Sequence, residues 1–262
     1  MNATDLIGCR RNPDYPAPTF STILSEPLAH YQGWRNYVLP STSQFGTGSC
    51  VVLASCCALE MKIRRDMGPE YIPYPMQLDP RDVFKHARAK YWPKELWDAG
   101  GLLLSQAYQS MIDMGWLPED TEIVSVATMF AANEHMKDFP GIMGLGITDG
   151  WMGDRVSKRT GQIDESLSPA QSLAGHALTM VSFLELVEQQ FLLFSNSGWA
   201  RATTNWGRGG YGIATLPYIK EAMLDDFIFL DLKDGWKDHI ANAMKTLPIL
   251  TDNWGLDDSR LK

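Results

Sequence analysis

The chain has 262 residues, 45% of them hydrophobic, enough for one large core or for two lobes sharing an interface. Its net charge of −8 speaks against anionic membrane surfaces and against nucleic acid as the main partner, because phosphate binding needs a basic stripe and none is visible. No apolar run approaches the roughly 18 residues of a membrane span.

Residues 1–30 hold Pro13, Pro16, Pro18 and Pro27 and read as an extended arm. Met1–Asp5 shows neither the basic nor the apolar region of a signal peptide. The polar loop Gln44–Cys50 runs straight into Val51-Val52-Leu53-Ala54, which predicts a helix from Cys50 to about Arg65. Its first half is apolar on all sides, as in a buried helix. Gly68-Pro69, Pro73 and Pro75 break regularity, and Asp79-Pro80 then has the N-cap and first-position chemistry of a helix start. That helix is expected to run to about Lys90, with Val83, Phe84 and Ala87 on one face.

After Asp98-Ala99-Gly100-Gly101, the positions Leu103, Leu104, Ala107, Tyr108, Met111 and Ile112 recur at helical spacing, and Gly115 sits where a C′ residue belongs. A further helix is expected within 122–137. Beyond 140 the texture changes. Residues 141–147, 177–183, 189–195, 211–214 and 227–231 are strand candidates by length, apolar content and flanking turns. Residues 149–172 read as a polar loop in which Asp164 and Glu165 are surface charge. From Lys233 a polar surface tail is expected, partly helical at most. Helices first and strands second describe an α+β chain.

Cys50 carries the chemistry. A helix start gathers orphan backbone N–H groups and the positive end of the helix dipole, which favour thiolate, the nucleophilic form. Gln44 lies six positions earlier, within reach of an oxyanion that the Cys50 N–H would also hold. Of five histidines, His176 opens the apolar run Ala177–Phe183 after Gly175, and it lies 126 residues after Cys50. Asn196 follows the apolar stretch Phe191–Phe194, 20 residues after His176, and fits a partner that fixes the imidazole tautomer. Asn205 is its rival, since it directly precedes a Trp. His86 reads as solvated, and His30, His135 and His239 have no partner spacing. No His/Cys cluster has zinc spacing, so neither metal nor cofactor is expected.

Gln44, then Gly48-Ser49-Cys50, with Gly175-His176-Ala177 and Asn196-Ser197-Gly198-Trp199 downstream, resembles the papain-like cysteine peptidases. Asn205-Trp206-Gly207 and Gly210-Tyr211 resemble that family's later Trp-Gly…Gly-Tyr strand. Gly8-Cys9-Arg10-Arg11-Asn12-Pro13 is similar to the opening of its bacterial and phage members, and Trp34-Arg35 to the pair that precedes its active-site Gln. Two departures stand out: Thr47 replaces a bridging cysteine, and Val51 replaces the aromatic after the nucleophile.

The resemblance implies a two-lobe fold, with a helical left lobe and an antiparallel β-barrel-like right lobe in a single domain over 1–262. The arm would cover 1–30, the helical lobe 31–138, the β lobe 139–232 and the tail 233–262. It implies a Cys50-His176-Asn196 triad with Gln44 as oxyanion donor, hydrolysing protein or peptide substrates. Substrate-contacting positions would be Gly100, Gly101, Gly175 and Trp206; for Gly100-Gly101 a plain helix-entry turn is the alternative. Acyl transfer at the same residues, and a catalytically silent binding or virion component, are the other readings. Cys9, Cys50, Cys56 and Cys57 form no disulfide framework, so a reducing, cytoplasmic setting is expected, with virion association as a further option.

Overall fold

The computed structural model describes residues 33–37, 48–72, 78–92, 101–151, 161–169, 174–186, 189–196 and 210–246. Around helix α1 (Cys50–Asp66) these residues arrange five further helices and six strands. Every residue of α1 from Cys50 to Ile63 is buried, which confirms the helix that is apolar all round. Intrinsic propensity does not favour the first half of this helix: Val51, Val52, Ser55 and the cysteines each fall up to ~0.7 kcal/mol short of alanine. Burying each large apolar side chain returns ~1.5–3 kcal/mol, so tertiary packing decides. The polar residues caught inside are partnered. Glu60 Oε1 accepts from the Leu78 N–H at 2.9 Å, and Lys62 Nζ donates to Asp138 O at 2.8 Å.

Helices α2 (Pro80–Tyr91) and α3 (Leu104–Asp113) pack on α1. Asp79 caps α2 by accepting from the Arg81 N–H at 3.0 Å, and Val83, Phe84 and Ala87 are its buried face, as the spacing requires. At α3, Gln106 reaches back to accept from the Leu103 N–H at 2.8 Å. The helix ends before Gly115, whose φ of 72° suits the expected C′ role.

The helix expected within 122–137 occupies only α4 (Met129–His135), capped by Thr128; Glu122–Val126 is a strand, β1. The β-branched Ile123, Val124 and Val126 find an antiparallel partner far along the chain, a pairing that no local pattern announces.

The remaining strands are β2 (Ile142–Ile147), β3 (Ala174–Leu186), β4 (Gln189–Ser195), β5 (Tyr211–Thr215) and β6 (Phe227–Asp231), separated after β5 by helix α5 (Leu216–Ala222). The sheet order is β1-β6-β2-β3-β4-β5, antiparallel throughout. β3 runs longer at both ends than its apolar core of 177–183. It packs directly on α1, so α1 lies between helices on one side and the sheet on the other.

Two expectations need correction. Glu165 is no mere surface charge: its carboxylate accepts from the Thr215 N–H at 2.7 Å and from the Thr215 hydroxyl at 2.6 Å, pinning the polar loop to the start of α5. The expected tail is partly helical, as α6 (Trp236–Ala243), but it is not all surface: the helix buries Trp236 and Ile240 against the body.

Candidate active site

Gly48 enters α1 with φ of 67°, a left-handed conformation that L side chains rarely adopt, and this turns the loop into the helix. The first helical bond is Leu53 N–H to Ser49 O at 3.0 Å. The N–H groups of Cys50, Val51 and Val52 therefore have no intrahelical acceptor and crowd the helix end where the Cys50 side chain sits. The Ala177 N–H, from β3, donates to Cys50 Sγ at 3.4 Å. Cys50 and the residue following His176 are thus in direct contact.

His176 lies in β3 opposite Leu145 of β2 and is fully buried. Asn196 follows β4 directly, buried, its N–H donating to Gly210 O at 2.8 Å. The antiparallel register pairs Thr179 with Ser195, which brings the end of β4 beside the beginning of β3. His176 Nε2 and Asn196 Oδ1 meet there at 2.6 Å. An amide oxygen only accepts, so Nε2 carries the proton and Nδ1 is the basic nitrogen of the neutral ring.

Neither a protein-family model nor a curated protein sequence matches the chain. Solved structures do. Digestive procathepsin L 3 of Tenebrio molitor larval midgut superposes with a TM-score of 0.60 at 15% identity, covering 88% of this chain and 77% of that one. The proform of the ragweed pollen allergen Amb a 11, a cysteine protease, gives 0.56 at 17% identity, covering 84% and 71%. Procathepsin B S9 of Trypanosoma congolense gives 0.55 at 12% identity, covering 87% and 86%.

The fold is that of the papain-like cysteine proteases. Within it, burial dominates the electrostatics of the site. Desolvation pushes the Cys50 thiol up to about 12, against the N–H groups of Ala177, Val51 and Cys50 itself, which pull it down. Desolvation also lowers His176 to about 4, opposed by its bond to Asn196. The helix start favours the thiolate in the expected direction, yet burial outweighs it. Both shifts disfavour the charged forms, thiolate and imidazolium.

Of the other expected site residues, Gly175 lies in β3 opposite Gly146, and Gly101 is buried just ahead of the α3 cap. Gln44, Gly100, Trp206, Trp199 and Asn205 fall outside the described residues. His86, His135 and His239 are no part of the site: His135 lies against the Phe229 ring at 5.3 Å, and His239 Nε2 meets Gly115 O at 3.0 Å. The Ala177 N–H was not foreseen. It is a backbone group, so no side-chain motif could signal it. Among the described residues no cluster of His, Cys, Asp and Glu is built to hold a metal ion.

Proposed function

We propose that this chain is a papain-like cysteine endopeptidase of the non-secreted, bacterial or phage kind. The observation that carries the reading is the contact series from Cys50 Sγ through the Ala177 N–H to His176 and its 2.6 Å bond to Asn196, mounted on a papain-like fold. Asn196 is taken as the third member because it makes that bond.

The Cys50 sulfur attacks the carbonyl carbon of a peptide bond and passes its proton to His176 Nδ1. The Cys50 N–H and the Gln44 side chain hold the oxyanion. His176 gives the proton to the leaving amine as the C–N bond breaks, and a thioester remains. His176 then takes a proton from water, which adds to the thioester carbonyl. The S–C bond breaks and the thiol is restored. Throughout, Asn196 holds the ring with Nδ1 as the basic nitrogen. Burial disfavours a pre-formed thiolate, so in this reading proton transfer to His176 accompanies the attack.

The test is cleavage of a peptide library by the wild-type chain and by Cys50→Ala. Cleavage by the first alone supports the reading. Equal cleavage by both, or none by either, overturns it.

A further inference from the structure

Three elements deliver the candidate site: α1 carries Cys50, β3 carries His176, and β4 delivers Asn196. No short stretch of chain fixes their spacing, because these residues lie far apart in sequence. A second set of buried polar groups joins the same three elements one helical turn away from the sulfur. Thr179 Oγ1 donates to Ala54 O at 2.9 Å. Ala54 follows Cys50 by one turn, ~5.4 Å along the helix. Thr179 follows Ala177 by two strand residues, ~6.6 Å along β3. The contacts 177–50 and 179–54 are therefore successive rungs between a strand and a helix that run side by side.

The second rung reaches β4 as well. Thr179 pairs in register with Ser195, the neighbour of Asn196. The Cys57 thiol of α1, which donates to Met61 Sδ at 3.8 Å, is pushed up to about 12 by burial and the Glu60 carboxylate, with Thr179 and Ser195 pulling it the other way. Thr179, Ser195 and Cys57 are all buried. A valine would fill the Thr179 position in this apolar strand without needing a partner, whereas a buried hydroxyl is tolerated only where it is hydrogen-bonded.

We infer that Thr179 is a positioning residue: its hydroxyl ties β3 to α1 in the register that sets His176 against Cys50, and through Ser195 it sets the end of β4 that presents Asn196. The inference rests on the peptidase reading for what the register achieves. A misplacement of the order of 1 Å at such a site costs ~10²-fold in rate. Partial loosening of one rung, with the Ala177 rung intact, is expected to cost less.

The experiment measures Cys50 alkylation by iodoacetamide from pH 4 to 10, read on the Cys50 peptide by mass spectrometry, together with kcat and KM on the cleaved library peptide. Thr179→Val removes the hydroxyl and keeps the shape. It is expected to slow Cys50 alkylation about tenfold across this range and to lower kcat with KM within about twofold. Thr179→Ser, which restores the hydroxyl, should recover to within about threefold of wild type.

Ser55→Ala is the control. It removes a hydroxyl-to-carbonyl bond of 2.8 Å to Val51 O that reaches neither β3 nor β4, and should change Tm only. If Thr179→Val does not fold, Ser195→Ala decides by the same readouts, with about threefold slower alkylation expected. A wild-type alkylation profile in the folded Thr179→Val chain, or in Ser195→Ala where that variant decides, overturns the inference. So does a loss that Ser55→Ala matches at equal loss of Tm. Alkylation is read whether or not any peptide is cut. A wild-type chain that cleaves nothing therefore sinks the peptidase reading and still decides the register.

Discussion

The two ends of α1 solve opposite problems. At its start, Cys50 sits buried among backbone N–H groups, and among the described residues no charged side chain contributes to its balance. At its end, Lys62, Arg65 and Asp66 form an ionic web that fastens distant segments. Lys62 pairs with Asp66 at 2.6 Å, and its Nζ lies 5.4 Å from the centre of the Trp236 ring. Arg65 stacks on Trp34 at 3.9 Å and donates to Lys137 O at 2.7 Å and to Asp138 O at 3.0 Å. Lys237 donates to Asp66 O at 3.0 Å. Trp34, fully buried, donates through Nε1 to Met136 O at 2.7 Å and through its backbone N–H to Val181 O at 2.8 Å. One end keeps helix donors available for a reacting group. The other satisfies its acceptors with cations and so holds the segments at Trp34, the end of α4 and α6 together. Chemistry and anchoring are separated by the length of one helix.

That separation predicts variants that break one end and spare the other. The largest effect belongs to Cys50→Ala, which should reduce peptide cleavage to background while shifting Tm by no more than a few degrees, since it removes one sulfur atom. A large Tm loss in this variant, measured by calorimetry, would mean that the reactive end also anchors the fold. Next is Asn196→Ala, expected to lower kcat by roughly 10²-fold and leave measurable activity, because a misoriented imidazole still visits the productive pose. Asn205→Ala should remain near wild type; a crippled Asn205→Ala beside an active Asn196→Ala would reassign the third position.

Trp34→Ala tests the anchoring end. Losing a fully buried indole together with its Nε1 hydrogen bond is expected to cost about 3–5 kcal/mol in denaturant unfolding, with kcat per folded molecule unchanged. A fall in kcat without a fall in stability would erase the division between the two ends.

The smallest effect is also the most discriminating, because acid reaches the two ends in different pH windows. His176 titrates at about 4 when folded against 6.5 for the free side chain, so between those values the unfolded chain binds the extra proton. Stability is then full above pH 6.5 and falls as pH drops toward 4, by a few kcal/mol at most. Asp66 behaves differently. Burial raises it, but hydrogen bonds from Arg65 and Lys62 outweigh burial and hold it below its usual 3.8. Its contribution is complete above pH 3.8 and fades only as pH falls through the lower folded value. Unfolding measured against pH should therefore flatten between 6.5 and 4 in His176→Gln, and change only at the acid extreme in Asp66→Asn. An unaltered upper window in His176→Gln would contradict the burial of the imidazole.

Much of this was legible in the sequence where local chemistry decides. Gly-Ser-Cys before an apolar run marked the start of α1, Asp79-Pro80 marked α2, and the apolar blocks marked β3 to β6. Cys50, His176 and Asn196 were legible as candidates because thiol, imidazole and amide each stand at the edge of such a block. What stayed hidden depends on partners remote in the chain. β1 is a strand because β6 is there to receive it, and Glu165 is a capping carboxylate because Thr215 comes within reach. α6 docks because Lys62 and the end of α1 offer its tryptophan a surface. Thr179 is a polar residue in an apolar run, and its bond to Ala54 depends on the packing of strand on helix.

The central claim is that Cys50 forms a covalent acyl intermediate in this site. Mixing the wild-type chain with an excess of an activated peptide ester, quenching in acid and mapping the mass by proteolysis tests it directly. The account predicts an added mass equal to the acyl half of the peptide on Cys50, absent in Cys50→Ala and slow to form in His176→Ala. Ester turnover with no adduct on Cys50, or an adduct on Cys56 or Cys57 in its place, would contradict it.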